Sequence, residues 1–427
     1  MAKDRLTILV RGAHDSFNFG DDLIFIAIYY FLIKDLELGN IVDLYTQRNA
    51  HSLDKLSFKF ALKLNKSKEI NDVIYPINSK LKTLKIPRVL RIFCAVLIFG
   101  IFLIDICLFR VIGKSPFFKD IIVFFKNLDV IHYIGGGYIT DRWRNRMIYE
   151  FLTVNVAKMI NPNLKIIGTG LGLGPFSHKS SLFFLKRFLG KFDYLFLREQ
   201  QSFNLVKKLN VKVNVKCLGD DALLLFPIFE NLKHKRDKVN ESVVAINLKD
   251  FPDHNYNEIR DIINDFLMLA DKKNFRIEYF SFGQNPGPDD YDVFQNLRLD
   301  NGKVISAVHN PYKEGINTYI QSLNKVKFGF GFAYHFNVIL AIMSIPSISI
   351  YVGDYYEQKI KGSMALFDMP FVFSIIDLKN QDLGVIINKI LQNKWDEEDR
   401  IRKLYKNMVK EYTLMYDKLV KIIQSTR

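Results

Sequence analysis

Cysteine is scarce: three residues in 427, Cys94, Cys107 and Cys217, too scattered for a disulfide framework or a CxxC metal site. A reducing cytoplasm fits that usage. No G-x-G-x-x-G and no G-x-x-x-x-G-K-[ST] occurs, so neither nicotinamide-dinucleotide binding nor P-loop hydrolysis is signalled. The apolar run before Arg11 is about five residues, shorter than the core of a secretory signal, and no cleaved signal is expected. Long low-complexity tracts are missing too; with 49% hydrophobic and 25% charged residues the chain reads as globular. No metal-ligand cluster is visible, and Asp289, Asp290 and Asp292 read as turn residues of a Pro-rich loop. No helix-turn-helix, zinc-finger or RNA-binding signature is present, which argues against nucleic acid as a partner.

What the chain does have is positive charge. Sixty Lys and Arg against 45 Asp and Glu give +15, which favours an anionic partner such as a membrane surface or a phosphorylated substrate. It also has one long apolar stretch, Val89 to Gly113, inside an insert at about 85–115. About eighteen residues between Arg91 and Arg110 are interrupted only by Asp105, near the lower limit for a membrane span. Lys80, Lys82, Lys85, Arg88 and Arg91 precede it, and Lys114 and Lys119 follow. Basic residues on both flanks suit a helix lying in an anionic cytoplasmic leaflet better than one that crosses. The expectation is a peripheral or monotopic contact at the inner face of the cytoplasmic membrane; the alternative is a buried core helix.

The length fits two domains. In the first half, LTILVRG, IVDLYT, DVIHYIGGG, LKIIGTG, YLFLRE and VNVKCLGDD read as strands separated by helical patterns such as DDLIFIAIYYFLIKDL. That alternation predicts a parallel sheet covered on both faces, with ligands beyond the carboxyl ends of the strands. Pro227 to Ser242 is polar and charged, the best linker candidate. Alternation then resumes through VVAINL, RIEYFSF, FGFGF and SISIYV. The expected organisation is an N-terminal α/β domain over 1–228, a second over 240–378, and helices over 379–427 that pack back on the first.

Four strand ends carry unusual residues. After Val10 come His14, Asp15, Asn18, Gly20, Asp21 and Asp22, types that serve a strand-to-helix turn equally well. Gly135, Gly136 and Gly137 allow close approach and offer backbone N–H groups to an anion, and Asp141, Arg142, Arg144 and Arg146 follow. Gly168 to Phe176 alternates glycine without dinucleotide spacing. Arg198 ends a run that should be buried, and a buried guanidinium needs an anionic partner; Glu199 or a ligand would serve. Further on, His335 opens an almost wholly apolar segment, where periodicity alone fits a satisfied core histidine.

In order along the chain, N-F-G-D at Asn18 to Asp21, G-G-G-Y-I-T-D at Gly135 to Asp141, G-T-G-L-G-L-G-P at Gly168 to Pro175, R-E-Q-Q-S at Arg198 to Ser202, D-D-A-L at Asp220 to Leu223 and H-F-N-V-I-L-A-I-M-S-I-P at His335 to Pro346, with Tyr351 and Lys359 beyond, resemble the polysaccharide pyruvyl transferase family. The resemblance implies two Rossmann-like α/β domains with parallel sheets, GT-B-like, with a cleft between them. It implies transfer of pyruvate from phosphoenolpyruvate, as donor substrate and without a cofactor, to two hydroxyls of a glycan as a cyclic ketal. The acceptor would be a glycan or lipid-linked oligosaccharide of exopolysaccharide or other cell-surface glycan assembly. It assigns His335 as the catalytic residue and Arg198 as a donor contact. Lys359, Arg142 and Gly135 to Gly137 are further donor-binding candidates, and Asn18, Asp21 and Asp141 are candidates for the cleft or the acceptor.

One position departs from the pattern. The family usually carries arginine two residues before the histidine, whereas this chain has Ala333, Tyr334, His335. Losing that guanidinium removes a charge-assisted contact worth roughly 1.5–3 kcal/mol, and Arg142 and Lys361 are the nearest candidates to compensate. Two other functions stay open: a GT-B glycosyltransferase using a nucleotide sugar, and a catalytically silent glycan-assembly protein.

Overall fold

β-branched and aromatic runs form the strands of two separate sheets. The computed structural model describes residues 5–13, 16–38, 42–46, 51–56, 64–68, 80, 82–85, 87–233, 242–249, 251, 256–283, 290–297, 305–392 and 397–425. His14, Asp15, Asp289 and residues 234–241 of the linker lie outside the described residues, and the linker's first part, to Lys233, is helical.

The first sheet comprises β1 (Leu6–Arg11), β2 (Val42–Thr46), β3 (Asn65–Lys66), β4 (Val130–Tyr133), β5 (Gly136–Ile139), β6 (Lys165–Leu173), β7 (Tyr194–Leu197) and β8 (Asn214–Cys217). Its order is β3-β2-β1-β4-β6-β7-β8, with β5 against β6. The second comprises β9 (Val243–Asn247), β10 (Arg276–Phe280), β11 (Ile305–His309), β12 (Val326–Gly331), β13 (Ser347–Tyr351) and β14 (Val372–Ser374), in the order β11-β10-β9-β12-β13-β14. The pairs run parallel, as in β1 with β4 and β9 with β12. Every residue of β1, β4, β9 and β13 is buried, so these strands are covered on both faces, which is why they read as continuous apolar runs.

Strand order fixes where a ligand can sit. In the first sheet the chain winds outward in one direction from β1 and in the other from β4; in the second the reversal lies between β9 and β12. The crevice at such a reversal, beyond the strands' carboxyl ends, is where doubly wound sheets bind ligands. The two reversal points are apposed. Phe19 N–H donates to Phe282 O at 2.9 Å and Asn18 bridges Gly283, joining the end of β1 to the end of β10.

Gly136 and Gly137 open β5, just after Gly135, and Gly168, Gly170 and Gly172 lie within β6. Edge strands β3, β11 and β14 went unread in the sequence because they are short or half-exposed, and β11 alternates partly buried and exposed residues. The helix Glu398–Ser425 returns to the first sheet: Tyr412 Oη donates to Asp221 Oδ1 at 2.5 Å and Tyr416 Oη meets His132 Nδ1 at 2.8 Å.

Candidate active site

Arg198 directly follows β7, and three devices hold it. Its Nε donates to Glu199 Oε2 at 2.6 Å, while Glu199 Oε1 accepts from Ser202 Oγ at 2.6 Å. Its guanidinium lies over the Tyr334 ring, 4.5 Å from the centroid. A Cβ on Gly172 would stand 2.4 Å from Arg198 Nη2, and one on Gly137 3.1 Å from it. Only glycine leaves room for the fork at Gly172, which explains part of the G-T-G-L-G-L-G run. Nη1 has no hydrogen-bond partner, although Asp220 Oδ2 lies 3.9 Å away. Burial opposes the charge, but Glu199, Tyr334 and Asp220 more than offset it, so the guanidinium stays charged.

The second sheet supplies the facing wall. After β12, Ala333 occupies the N-cap of the helix Tyr334–Ile342 without a side-chain cap, and the free N–H groups of such a helix start favour an anion. Tyr334 Oη donates to Asp220 Oδ2 at 3.0 Å and pairs with Ser363 Oγ at 2.8 Å. His335 is buried, its Nε2 has no hydrogen-bond partner, and Asp220 Oδ2 is 3.9 Å from it. Its ring packs on Gly20, where a Cβ would come within 1.8 Å of Nδ1. The N-F-G-D stretch thus matters chiefly through its glycine, which lets the two sheets close on the histidine.

After β13, the helix Gly353–Leu366 adds Tyr355 and Lys359. Lys359 Nζ lies 4.6 Å from the Tyr334 ring centroid and 5.8 Å from that of Tyr355. Tyr355 Oη donates to Gly137 O at 3.0 Å, and Gln358 Nε2 donates to Leu173 O at 2.9 Å. These bonds tie the helix to β5 and β6 of the first sheet.

The cluster interleaves the cations Arg198, Lys359 and Lys249 with the carboxylates Glu199, Asp220 and Asp21. Burial, then Arg198, lowers the Lys359 ammonium to about 7 against the pull of Asp21. Burial, then Lys359, Arg198 and Lys249, holds the His335 imidazole well below its ordinary range. Burial raises the Asp21 carboxyl, opposed by Lys359 and Lys249. The neutral form of His335 is thereby favoured in the absence of an anion. An arriving anion would reverse the penalty on both groups.

Several expectations change. Gly135 N–H is not open to an anion, because it donates to Asp221 Oδ2 at 2.8 Å. Asp141 accepts from the backbone N–H groups of Ser177 at 2.6 Å and His178 at 3.0 Å, so it organises that turn. Asn18 sits at an N-cap but makes no side-chain cap bond; its backbone joins the two halves. Gly136 adopts φ 129°, where glycine is required, and a Cβ there would lie 3.8 Å from Asp21 Oδ1. Arg142 is exposed and reaches the rim, 5.8 Å from the Tyr355 ring centroid. Lys361 is exposed and pairs with Glu357 at 2.7 Å, outside the cluster.

Sequence reasoning missed Lys249, two residues beyond β9, whose charge acts on His335, Lys359 and Asp21. It also left out Asp220, Tyr334 and Tyr355. A carboxylate pair just after an apolar strand, in VKCLGDD, and a lysine just after VVAINL were the available signals. Among the described residues no group of three His, Cys, Asp or Glu side chains is arranged to hold a metal ion.

Two parallel α/β sheets, apposed at their strand reversals around a basic cluster, define a GT-B-like fold. Solved structures of that kind are similar over nearly the full chain. A glycosyltransferase from Rickettsia africae matches at TM-score 0.52 and 12% identity, covering 98% of this chain and 99% of that one. The UDP-GlcNAc 2-epimerase from Neisseria meningitidis matches at TM-score 0.51 and 12% identity, covering 96% and 99%. A putative UDP-N-acetylglucosamine 2-epimerase from Listeria monocytogenes gives 0.51 and 13%, covering 93% and 90%. Among curated proteins, none matches the chain in sequence. The polysaccharide pyruvyl transferase family model matches residues 18–355, and the chain belongs to that family.

Proposed function

We propose that this protein transfers pyruvate from phosphoenolpyruvate to two hydroxyls of a glycan, forming a cyclic ketal. The observation that carries the reading is the convergence of Arg198, Lys359 and His335 on one junction, with Arg198 Nη1 and His335 Nε2 both lacking hydrogen-bond partners. A donor bearing both carboxylate and phosphate satisfies such a cluster. Guanidinium pairs with planar or tetrahedral oxyanions, and the uncapped helix at Tyr334 adds N–H groups. In this reading Lys249, just beyond β9 and with its charge acting on His335 and Lys359, compensates for the arginine missing at Ala333.

The chemistry needs a proton at the donor's methylene carbon, which becomes the methyl group and leaves an electrophilic centre at C2. The first hydroxyl attacks there, phosphate departs with its bridging oxygen, and the second hydroxyl closes the ring. Two hydroxyl protons leave the acceptor: one balances the proton taken up by the methyl, the other leaves with phosphate. In this reading His335 moves these protons. It is neutral before the donor arrives, and the donor's anionic charge raises its affinity for a proton. Asp220, at 3.9 Å, stabilises the imidazolium once formed.

Phosphate release from phosphoenolpyruvate in the presence of glycan acceptors tests this, with nucleotide sugars in parallel. Release that disappears in His335→Gln and Arg198→Lys supports the reading. Turnover of a nucleotide sugar, with phosphoenolpyruvate untouched, overturns it in favour of glycosyl transfer.

A further inference from the structure

The helix Arg88–Ile112 takes no part in the junction. At 25 residues it is about 37 Å long, enough to cross a bilayer. Its place in the fold rules that out. β1 and β2 precede it and β4 follows it, yet β1 pairs with both in one sheet, Leu9 opposite Tyr45 on one side and Ile131 on the other. A single crossing would put neighbouring strands on opposite sides of the membrane.

One face of the helix is fixed to the protein. Phe102 and Ile106 are fully buried, and Phe102 packs edge-on against Phe118 at 5.0 Å. Asp105, the charge that interrupts the apolar run, is buried too: it accepts from Ser115 Oγ at 2.6 Å and from Phe118 N–H at 2.8 Å. The other face carries Val89, Leu90, Phe93, Val96, Leu97 and Ile104 at spacings of one side of a helix, with exposures from 52% to 77%. So much contiguous apolar surface marks an interaction site. Around it Lys80, Lys82, Lys85, Arg88, Lys114 and Lys119 are all exposed.

We infer that this face lies in the plane of an anionic lipid bilayer, the apolar residues at the acyl boundary and the lysines and Arg88 on the headgroups, with Asp105 and its donors keeping the opposite face on the protein. Charge selects this occupant over a second copy of the chain: a self-contact would bring like-charged basic rims together, whereas acidic headgroups neutralise them. The inference stands independently of the chemistry proposed for the junction.

Flotation of the full chain with preformed vesicles tests it. Wild type should float with phosphatidylglycerol-containing vesicles and stay behind with pure phosphatidylcholine. Joint Phe93→Glu, Val96→Glu and Leu97→Glu substitution should abolish flotation without lowering the melting temperature, since these side chains are exposed. Lys82→Gln, Lys85→Gln and Arg88→Gln should each weaken partitioning about fivefold. Trypsin added outside should still cut at both Lys85 and Lys114 on bound protein, as an in-plane helix requires. Failure of wild type to float, flotation unchanged in the triple variant, or a lipid-free dimer that the triple variant dissolves would each overturn the inference.

Discussion

Two buried arginines end strands of the same sheet, each beside a glutamate, and they do different work. Arg11 closes β1, its Nε donating to Glu150 Oε2 at 2.9 Å. Tyr133 and Tyr149 lie 5.8 and 5.6 Å from its Cζ. Glu150 also accepts from Tyr133 Oη at 3.0 Å and faces Arg146 at 3.8 Å. All of these partners belong to the first half of the chain. Arg198 has a comparable ion pair with Glu199, but it faces the second sheet, where Lys359, Lys249 and His335 add cations and an unbonded imidazole. A buried guanidinium by itself is therefore no sign of a site. What distinguishes Arg198 is its place at the junction of the two sheets, where residues of the second half, Tyr334, Lys359 and His335, gather around it.

The sharpest way to break this comparison is to substitute both arginines conservatively. Arg198→Lys should lower kcat/KM for phosphoenolpyruvate by about a hundredfold or more, since lysine cannot reproduce the fork, while the melting temperature changes little. Arg11→Lys should do the reverse: disrupting a buried pair costs up to about 3–5 kcal/mol, read in denaturant unfolding, with near-normal kinetics in the folded fraction. Equal kinetic losses in both would erase the distinction.

Glycine supplies a second contrast. Gly20→Ala drives a methyl into His335, at 1.8 Å from Nδ1, whereas Gly100 has nothing within 4 Å of the added carbon. Gly20→Ala should lower kcat more than tenfold; Gly100→Ala, in the apolar helix, should leave it unchanged. Steady-state kinetics on both decides.

Lys249→Gln should raise KM for the donor on the order of tenfold, the value of one charge-assisted contact. It should also move the His335 titration, followed by NMR, upward, because a neighbouring cation has been removed. The same substitution at Lys361 should do neither.

The smallest effect is in pH. Lys359 is lowered to about 7, so it is charged below that value and loses its charge above it. Donor affinity should fall as pH rises through 7, beyond the donor's own titration, and binding should take up protons. Lys359→Arg, which stays charged, should flatten that fall in calorimetric titrations.

The sheets were legible because strands buried on both faces must be apolar along their length, as LTILV and VVAIN are, and helical patterns separate them. Edge strands β3, β11 and β14 escaped because half-exposed or very short segments carry no such run. Arg198 stood out because a guanidinium ending YLFL demands a partner. Asp141 looked like a ligand because a carboxylate beside an arginine is written the same way whether it caps a turn or meets a substrate. Gly20 against His335 was illegible for a different reason: the two lie more than three hundred residues apart, and only the apposition of the two sheets brings them together. Asp105, an apparent blemish in a membrane-like run, turned out to hold that helix to the protein.

The central claim is that the cations gathered around Arg198 serve a small carboxylate-phosphate donor. Isothermal titration of phosphoenolpyruvate into wild type and Arg198→Lys below pH 7, with a uridine diphosphate sugar as competitor, tests it most directly. The account predicts saturable binding to wild type, loss of at least tenfold in affinity in the variant, and no displacement by the nucleotide sugar. Tight binding of the nucleotide sugar with no heat from phosphoenolpyruvate would contradict it.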